Sequence, residues 1–276
     1  IELNYTHMNT KKSILCIGSV AYDDLEIKNK KYINVVGGSA TYFSLAASLY
    51  AKVYISAIIG EDFTKHLDLF RSRKINIDNL IIKKGKTFHW GGKYSDDFSS
   101  RETLFTDLGV FKNFNPDINS KINFKGFLFL GNIQPQLQLQ TINQAPNSSL
   151  VITDTMNLWI STEIHLLWKV IKKTDIFLLN DEEAIQLTKQ TNLNAALDIL
   201  LTKGPQCIII KRGSKGCLLK TKDIFVSIPA YDEVNTVDPT GAGDSFAGGF
   251  VGYLAFNGKD KIIDAAIIGS ALASFT

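Results

Sequence analysis

Short apolar, β-branched runs bounded by turn residues recur along the chain, from Ser13 to Gly18, Val53 to Ile59, Phe127 to Leu130, Leu150 to Thr153, Ile176 to Leu179 and Cys207 to Lys211. Runs this short, apolar throughout, read as strands buried on both faces. Between them the apolar residues stand three and four apart, which predicts helices over Ala40 to Tyr50, Phe63 to Arg73, Glu163 to Lys172, Glu182 to Lys189 and Ala195 to Leu201. Parallel strands need crossover helices and cover on both sides, so the alternation predicts an α/β fold, a three-layer α/β/α sandwich with a mostly parallel central sheet. Two segments break the pattern. In Leu25 to Val35, Lys28, Asn29 and Lys30 separate two alternating runs; in Thr87 to Leu108, Asp96 to Ser100 separates Phe88 to Tyr94 from Thr103 to Asp107. These segments, within 25–36 and 86–109, are expected to form a small β-sheet lid, with ordinary surface hairpins as the alternative. Phe88, Trp90 and Tyr94, two or four positions apart, are expected to share one face of a lid strand.

Composition changes this picture little. A chain of 276 residues can still close one core, so a single domain over 13–276 is expected. Residues 1–7 precede a Met and read as an upstream or vector remnant, and the ending at Thr276, inside an apolar helical pattern, reads as a truncated or partly unseen C-terminus. The formal charge of +3 is too small for a polyanion-binding field, so no nucleic-acid partner is expected. Ser39 to Gly60 is weakly charged but broken by Lys52 and scattered hydroxyl residues, so it reads as a helix and a strand rather than a membrane span. Cys16, Cys207 and Cys217 contain no C-x-x-C pair and read as small buried hydrophobes in a reducing, cytoplasmic compartment. His7, His66, His89 and His165 have no zinc-site spacing.

The segment richest in chemistry is Asp238-Pro239-Thr240-Gly241-Ala242-Gly243-Asp244, followed by small and apolar residues that could continue as a buried helix. Gly241 and Gly243 let backbone approach a ligand closely, and the free N–H groups of a first helical turn can converge on an anion. Asp244 in that turn is either a dipole-complementing carboxylate or a base beside the anion. No G-x-x-x-x-G-K-[ST] and no early G-x-G-x-x-G is present, which weakens P-loop and dinucleotide readings.

The run VDPTGAGDSFAGGF resembles the C-terminal signature of the ribokinase-like (PfkB-type) carbohydrate kinases, and Gly37-Gly38-Ser39 before a small-residue helix resembles their N-terminal one. The resemblance extends from Ser13 to Thr276 and implies ATP- and Mg²⁺-dependent phosphoryl transfer to a hydroxyl of a sugar or nucleoside. It makes Asp244 the base and the backbone of Gly241, Ala242 and Gly243 the anion hole. Asn180-Asp181-Glu182-Glu183 matches an N-x-x-E element, implying that Asn180 and Glu183 order Mg²⁺ through water; the same residues also read as a helix capping box. Lys211 to Gly216 resembles a nucleotide loop in which Gly213 and Gly216 face ATP, with a hydroxyl residue common where Lys211 stands; the alternative is a plain turn. Asp238 and Thr240 match positions that hold a monovalent cation, K⁺, in some relatives, and Thr240 is also counted with the nucleotide site. Asp23 matches the carboxylate that accepts from substrate hydroxyls, with Asp24 a solvated neighbour, and Gly37, Gly38, Ser39, Tyr42 and Trp90 complete the substrate side. Tyr42 stands where an Asn is usual and Ala21 where ribokinases have another; with the aromatic lid, this points to a ligand bulkier than ribose, such as a nucleoside. A homodimer through the lid and a non-catalytic binding protein on the same fold are the further expectations.

Overall fold

The computed structural model describes residues 12–275 except 97, 99, 119–123 and 232–237. The expectations for residues 1–7 and for Thr276 lie outside the described residues. The strands are β1 (Ile14–Ile17), β2 (Ala21–Ile27), β3 (Lys30–Gly37), β4 (Val53–Gly60), β5 (Asn76–Lys83), β6 (Phe88–Tyr94), β7 (Arg101–Asp107), β8 (Phe127–Leu130), β9 (Leu150–Thr153), β10 (Ile176–Asn180), β11 (Cys207–Lys211), β12 (Cys217–Thr221) and β13 (Phe225–Ile228). The helices are α1 (Ser39–Ala47), α2 (Asp68–Ser72), α3 (Pro135–Gln144), α4 (Asn157–Thr162), α5 (Ile164–Ile171), α6 (Asp181–Thr188), α7 (Leu193–Leu201), α8 (Ala242–Asn257) and α9 (Ile262–Ala273).

Nine strands form one sheet in the order β13-β12-β11-β10-β9-β8-β1-β4-β5, parallel from β11 to β5 and antiparallel at the β12 and β13 edge. Alternation along a strand sends its side chains into two cores. Ile14 and Cys16 of β1 pack in the core with Phe43 of α1, Phe250 of α8 and Ala265 of α9, whereas Leu15 and Ile17 pack in the opposite one with Val110 and Ile133. Farther along that second face, Leu167, Leu197 and Ala184 of α5, α7 and α6 cover β10 and β11. This is the expected three-layer sandwich. Helix α8 is wedged between its neighbours because its glycines admit their backbones: a Cβ on Gly248 would stand 2.3 Å from the carbonyl oxygen of Phe43, and one on Gly252 3.0 Å from Ala47 Cα.

The lid is a separate sheet, β3-β2-β6-β7, whose middle strands β2 and β6 run parallel. It starts earlier than expected, at Ala21, so Asp23 belongs to a lid strand. Phe88 does not share the Trp90 and Tyr94 surface: its ring stacks on Phe111 at 5.6 Å, while Trp90 and Tyr94 join Leu25 and Ile27 in a small lid core. The expected helix over Phe63 to Arg73 is a 3₁₀ segment, Glu61–His66, followed by the short α2. Asp62 holds the first turn against the lid base by accepting from Thr87 N and Oγ1. No helix among the described residues is long and apolar enough to cross a membrane.

Candidate active site

The turn before α8 is set by two short devices. Asp238 Oδ1 accepts from Thr240 N at 2.8 Å, and Gly241 then takes φ 79°, a left-handed conformation that L side chains rarely adopt. Close contact reinforces the demand for glycine, because a Cβ on Gly241 would meet the Tyr42 ring at 2.4 Å. Ala242 N is taken by Pro239 O, but among the described residues no backbone carbonyl and no side-chain cap receives the N–H of Gly243 or Asp244. Two donors at a helix N-terminus, at the positive end of a long buried helix, are therefore available to an anion.

Asp244 is half-buried beside them, and burial, with Asp154 nearby, pushes its carboxyl from 3.8 up to about 7. Lys211 and Arg101 act in the opposite direction. A carboxyl poised near neutrality and adjacent to two free N–H groups can take a proton from a hydroxyl while the anion is held.

The nucleotide-side residues gather at the C-terminal ends of β9, β10 and β11. Asn180 and Glu183 form a complete capping box: Asn180 Oδ1 accepts from Glu183 N at 2.7 Å and Glu183 Oε2 from Asn180 N at 2.8 Å. The helix-cap reading of this motif is thus observed. Burial raises the Glu183 carboxyl to about 7, against the lowering effect of Lys211. Gly213 and Gly216 lie in a turn joining antiparallel β11 and β12. A Cβ on Gly213 would meet open space, whereas one on Gly216 would strike the carbonyl oxygen of Ile228 at 2.0 Å, so the first glycine leaves room and the second serves the turn. Lys211, expected to matter mainly through backbone, extends its side chain across the site to Asp154 Oδ2 at 2.6 Å. Asp154 went unrecognised in the sequence; it follows β9 directly, and an acidic residue just past a buried parallel strand was the available signal.

On the lid side, Asp23 is buried and, among the described residues, has no hydrogen-bond or ion-pair partner. Burial, then repulsion from Asp238, lifts it from 3.8 to about 7. Tyr42 lies between this carboxyl and Gly241, and burial together with Asp23, Asp238 and Asp244 raises its phenol well above the ordinary value. Trp90 stands opposite Asp23 on the neighbouring strand, with the Arg101 guanidinium 5.0 Å over its ring. Tyr94 reaches Thr240 Oγ1 at 2.9 Å, which engages the Thr240 hydroxyl with the lid. Three expectations are revised. Ser39 is buried, its Oγ accepting from Ser19 N, so its hydroxyl serves the strand-to-helix turn. Gly38, with a Cβ that would stand 2.5 Å from Ser19 O, belongs to that same turn. Asp24 is not simply solvated: it accepts from Asn34 N and pairs with His89 Nε2 at 2.8 Å.

A raised carboxyl beside N–H groups with no partner among the described residues, in electrostatic contact with the buried Asp23 carboxyl of the lid, is an arrangement suited to transferring an anionic group to a hydroxyl. The pfkB family carbohydrate kinase pattern matches residues 11–276, and the chain belongs to that family. It is an ATP-dependent phosphotransferase with an alcohol group as acceptor; membership implies use of ATP and Mg²⁺. The cytidine kinase of Thermococcus kodakarensis is 29% identical over 248 residues, 87% of this chain and 88% of the relative. The fold matches the nucleoside kinase of Methanocaldococcus jannaschii, described as an archaeal member of the ribokinase family, with TM-score 0.79 at 23% identity over 96% of this chain and 91% of that one. It also matches the Burkholderia thailandensis nucleoside kinase solved with inosine, with TM-score 0.80 at 19% identity over 95% and 90% of the two chains.

Proposed function

We propose that this kinase phosphorylates a nucleoside, with Asp244 as the base. The observation that carries the reading is the unpartnered, buried Asp23 carboxyl beside Tyr42 and Trp90, across from Asp244. A carboxylate accepts from sugar hydroxyls, and the flat rings next to it suit an acceptor with a planar base. The relative named cytidine kinase supports the same class. A free sugar is the second reading, favoured by the family as a whole.

The residues present fit a nucleotide and hydrated Mg²⁺. Gly213 leaves open space, among the described residues the N–H groups of Gly243 and Asp244 are free, and Asp154 acts electrostatically on both Glu183 and Asp244, although no cluster of three such groups that could bind a metal directly is found among the described residues, which suits a hydrated ion. When bound, Mg²⁺·ATP supplies the phosphoryl group and divalent charge. Asn180 and Glu183 would hold the ion through water, because their direct oxygen–backbone bonds are spent on the cap. Asp23 orients the acceptor, Asp244 takes its hydroxyl proton, and the α8 N–H groups receive the developing negative charge. Asp238 is the candidate K⁺ ligand; its Oδ1 accepts from Thr240 N, and among the described residues Oδ2 has no hydrogen-bond partner. The exposed Tyr32, Ile33, Leu104 and Phe105 of β3 and β7 suit a homodimer through the lid. Three buried, free cysteines suit a cytoplasmic setting.

The test is a coupled assay with Mg²⁺ and ATP on pyrimidine and purine nucleosides, ribose and fructose. Turnover of a nucleoside at least about tenfold above any free sugar in kcat/KM is the expected result. Preference for a free sugar would overturn the nucleoside assignment and leave the kinase intact.

A further inference from the structure

Lys211 ends β11, and its ammonium crosses to the first turn of α8, where a Cβ on Gly243 would stand 3.2 Å from Nζ. Asp154 holds it at 2.6 Å, with the side chains 16% and 5% exposed. Asp154 is itself fixed: its Oδ1 accepts from Thr155 N, and its carbonyl oxygen accepts from Gln138 Nε2. A pair this deeply withdrawn from water stabilises a fold no better than apolar residues of the same volume, so stability alone does not account for it. Its geometry supplies another reason. An ammonium carries three donors, and among the described residues Asp154 is the one hydrogen-bond acceptor of Lys211. Two donors remain, next to the two free N–H groups of α8.

We propose that Lys211 is a catalytic residue of the phosphoryl transfer, a fixed cation that contacts the transferring group beside the N–H groups of Gly243 and Asp244, with Asp154 as its positioning residue. The inference rests on the kinase reading of the same site. In the transfer, the acceptor O–H gives its proton to Asp244, the new O–P bond forms, and the bond from phosphorus to the bridging oxygen breaks with its electron pair leaving on ADP. Lys211 stays protonated throughout and exchanges no proton. Its contribution is charge at a place where a helix end offers only partial charge. A cation placed at the N–H groups that receive the transferring group should favour ATP over ADP.

Lys211→Met would leave Asp154 as an unpaired buried carboxylate, so the double variant Lys211→Met/Asp154→Leu is made beside it, together with Lys211→Arg, and each is checked for folding by its melting curve. Calorimetry measures Mg²⁺·ATP and Mg²⁺·ADP affinity, and steady-state kinetics measure kcat and nucleoside KM. In the folded double variant kcat should fall about 100- to 1,000-fold with nucleoside KM within about threefold, as for loss of one preorganised donor. ATP affinity should fall about tenfold more than ADP affinity, and Lys211→Arg should restore part of both. Equal loss of ATP and ADP affinity, or a kcat within about threefold of wild type, would overturn the proposal. If no nucleoside or sugar is turned over by the wild type, the substrate reading fails, and the ATP-to-ADP comparison still decides the role of Lys211.

Discussion

The hydroxyls of Tyr94 and Thr240, 146 positions apart in the chain, lie 2.9 Å from one another and tie lid strand β6 to the turn that opens α8. Lid position and anion-hole geometry are thereby joined through one hydrogen bond. Tyr94→Phe removes it and leaves the ring in place. The expected outcome is a nucleoside KM several-fold higher with kcat changed less than about threefold, and a stability loss of about 1 kcal/mol. Kinetics and a denaturant titration check it; an unchanged KM would show that the lid is held by its other contacts.

Asp244→Asn separates chemistry from stability. Turnover should fall by about 100- to 10,000-fold with nucleoside binding retained, since the proton acceptor is lost and its shape is not. At pH 8 the variant should melt higher than wild type, because a carboxylate held against its own desolvation is gone. A melting scan and a single-turnover assay read the two effects.

The pH dependence carries two opposite signs. Asp244 works as the carboxylate and Asp23 binds substrate as one, so kcat/KM should rise about tenfold to a hundredfold per pH unit below about 7 and level off above it. For stability, Asp23, Glu183 and Asp244 are all raised to about 7, so the folded state binds more protons than the unfolded chain between the ordinary carboxylate range and about 7. Their contribution to stability is full below that window and is lost as pH rises through it. Wild type should therefore lose melting temperature between pH 5 and 8 more steeply than Asp244→Asn.

Glu183 closes the capping box and is also proposed to order hydrated Mg²⁺, and two substitutions divide those duties. Gln can still accept from Asn180 N, so Glu183→Gln should melt within a few degrees of wild type but need several-fold more Mg²⁺ for half activity. Glu183→Ala should lose about 1 kcal/mol as well. An unchanged Mg²⁺ titration in both would leave Glu183 as a cap alone.

Trp90 supports the Arg101 guanidinium on one side and the Asp23 strand on the other. Trp90→Ala should weaken nucleoside binding about tenfold at unchanged oligomeric state. Dissociation of a dimer with unchanged affinity, seen by light scattering, would make the ring an interface residue instead.

The parallel strands were legible because both faces of each are apolar, and the α8 signature because the run VDPTGAGDSFAGGF resembles the family's; the glycines and Asp244 by themselves left a plain helix start open. Strands β5, β12 and β13 and helices α3 and α4 were not anticipated. β5 mixes Asn and Asp into an apolar run, and half of α3 is glutamine and asparagine, so neither carries a strong period. Asp23, Tyr42 and Asp244, singled out through the family resemblance, lie in electrostatic contact with one another in the structure. The pairing of Lys211 with Asp154 was not legible, because 57 residues separate them and only the order of β9, β10 and β11 in the sheet brings them together. Ser39 and Gly38 show how a glycine–serine turn reads the same in sequence whether or not it faces a ligand; in the structure both build the turn with Ser19.

Helix α8 meets α1 where Gly248 and Gly252 have no side chain to hold the two apart. Asp244 lies four and eight residues before them, about 6 and 12 Å along the helix axis. A methyl group at either glycine would push the whole rod off its bed, and the rod carries the proposed base Asp244 and the N–H groups of Gly243 and Asp244 at its tip. Displacement of the order of 1 Å at a reacting atom costs about a hundredfold in rate. In a saturation scan scored by turnover, alanine at these two buried positions should therefore rank with damage to the reaction centre, although neither ever touches a substrate.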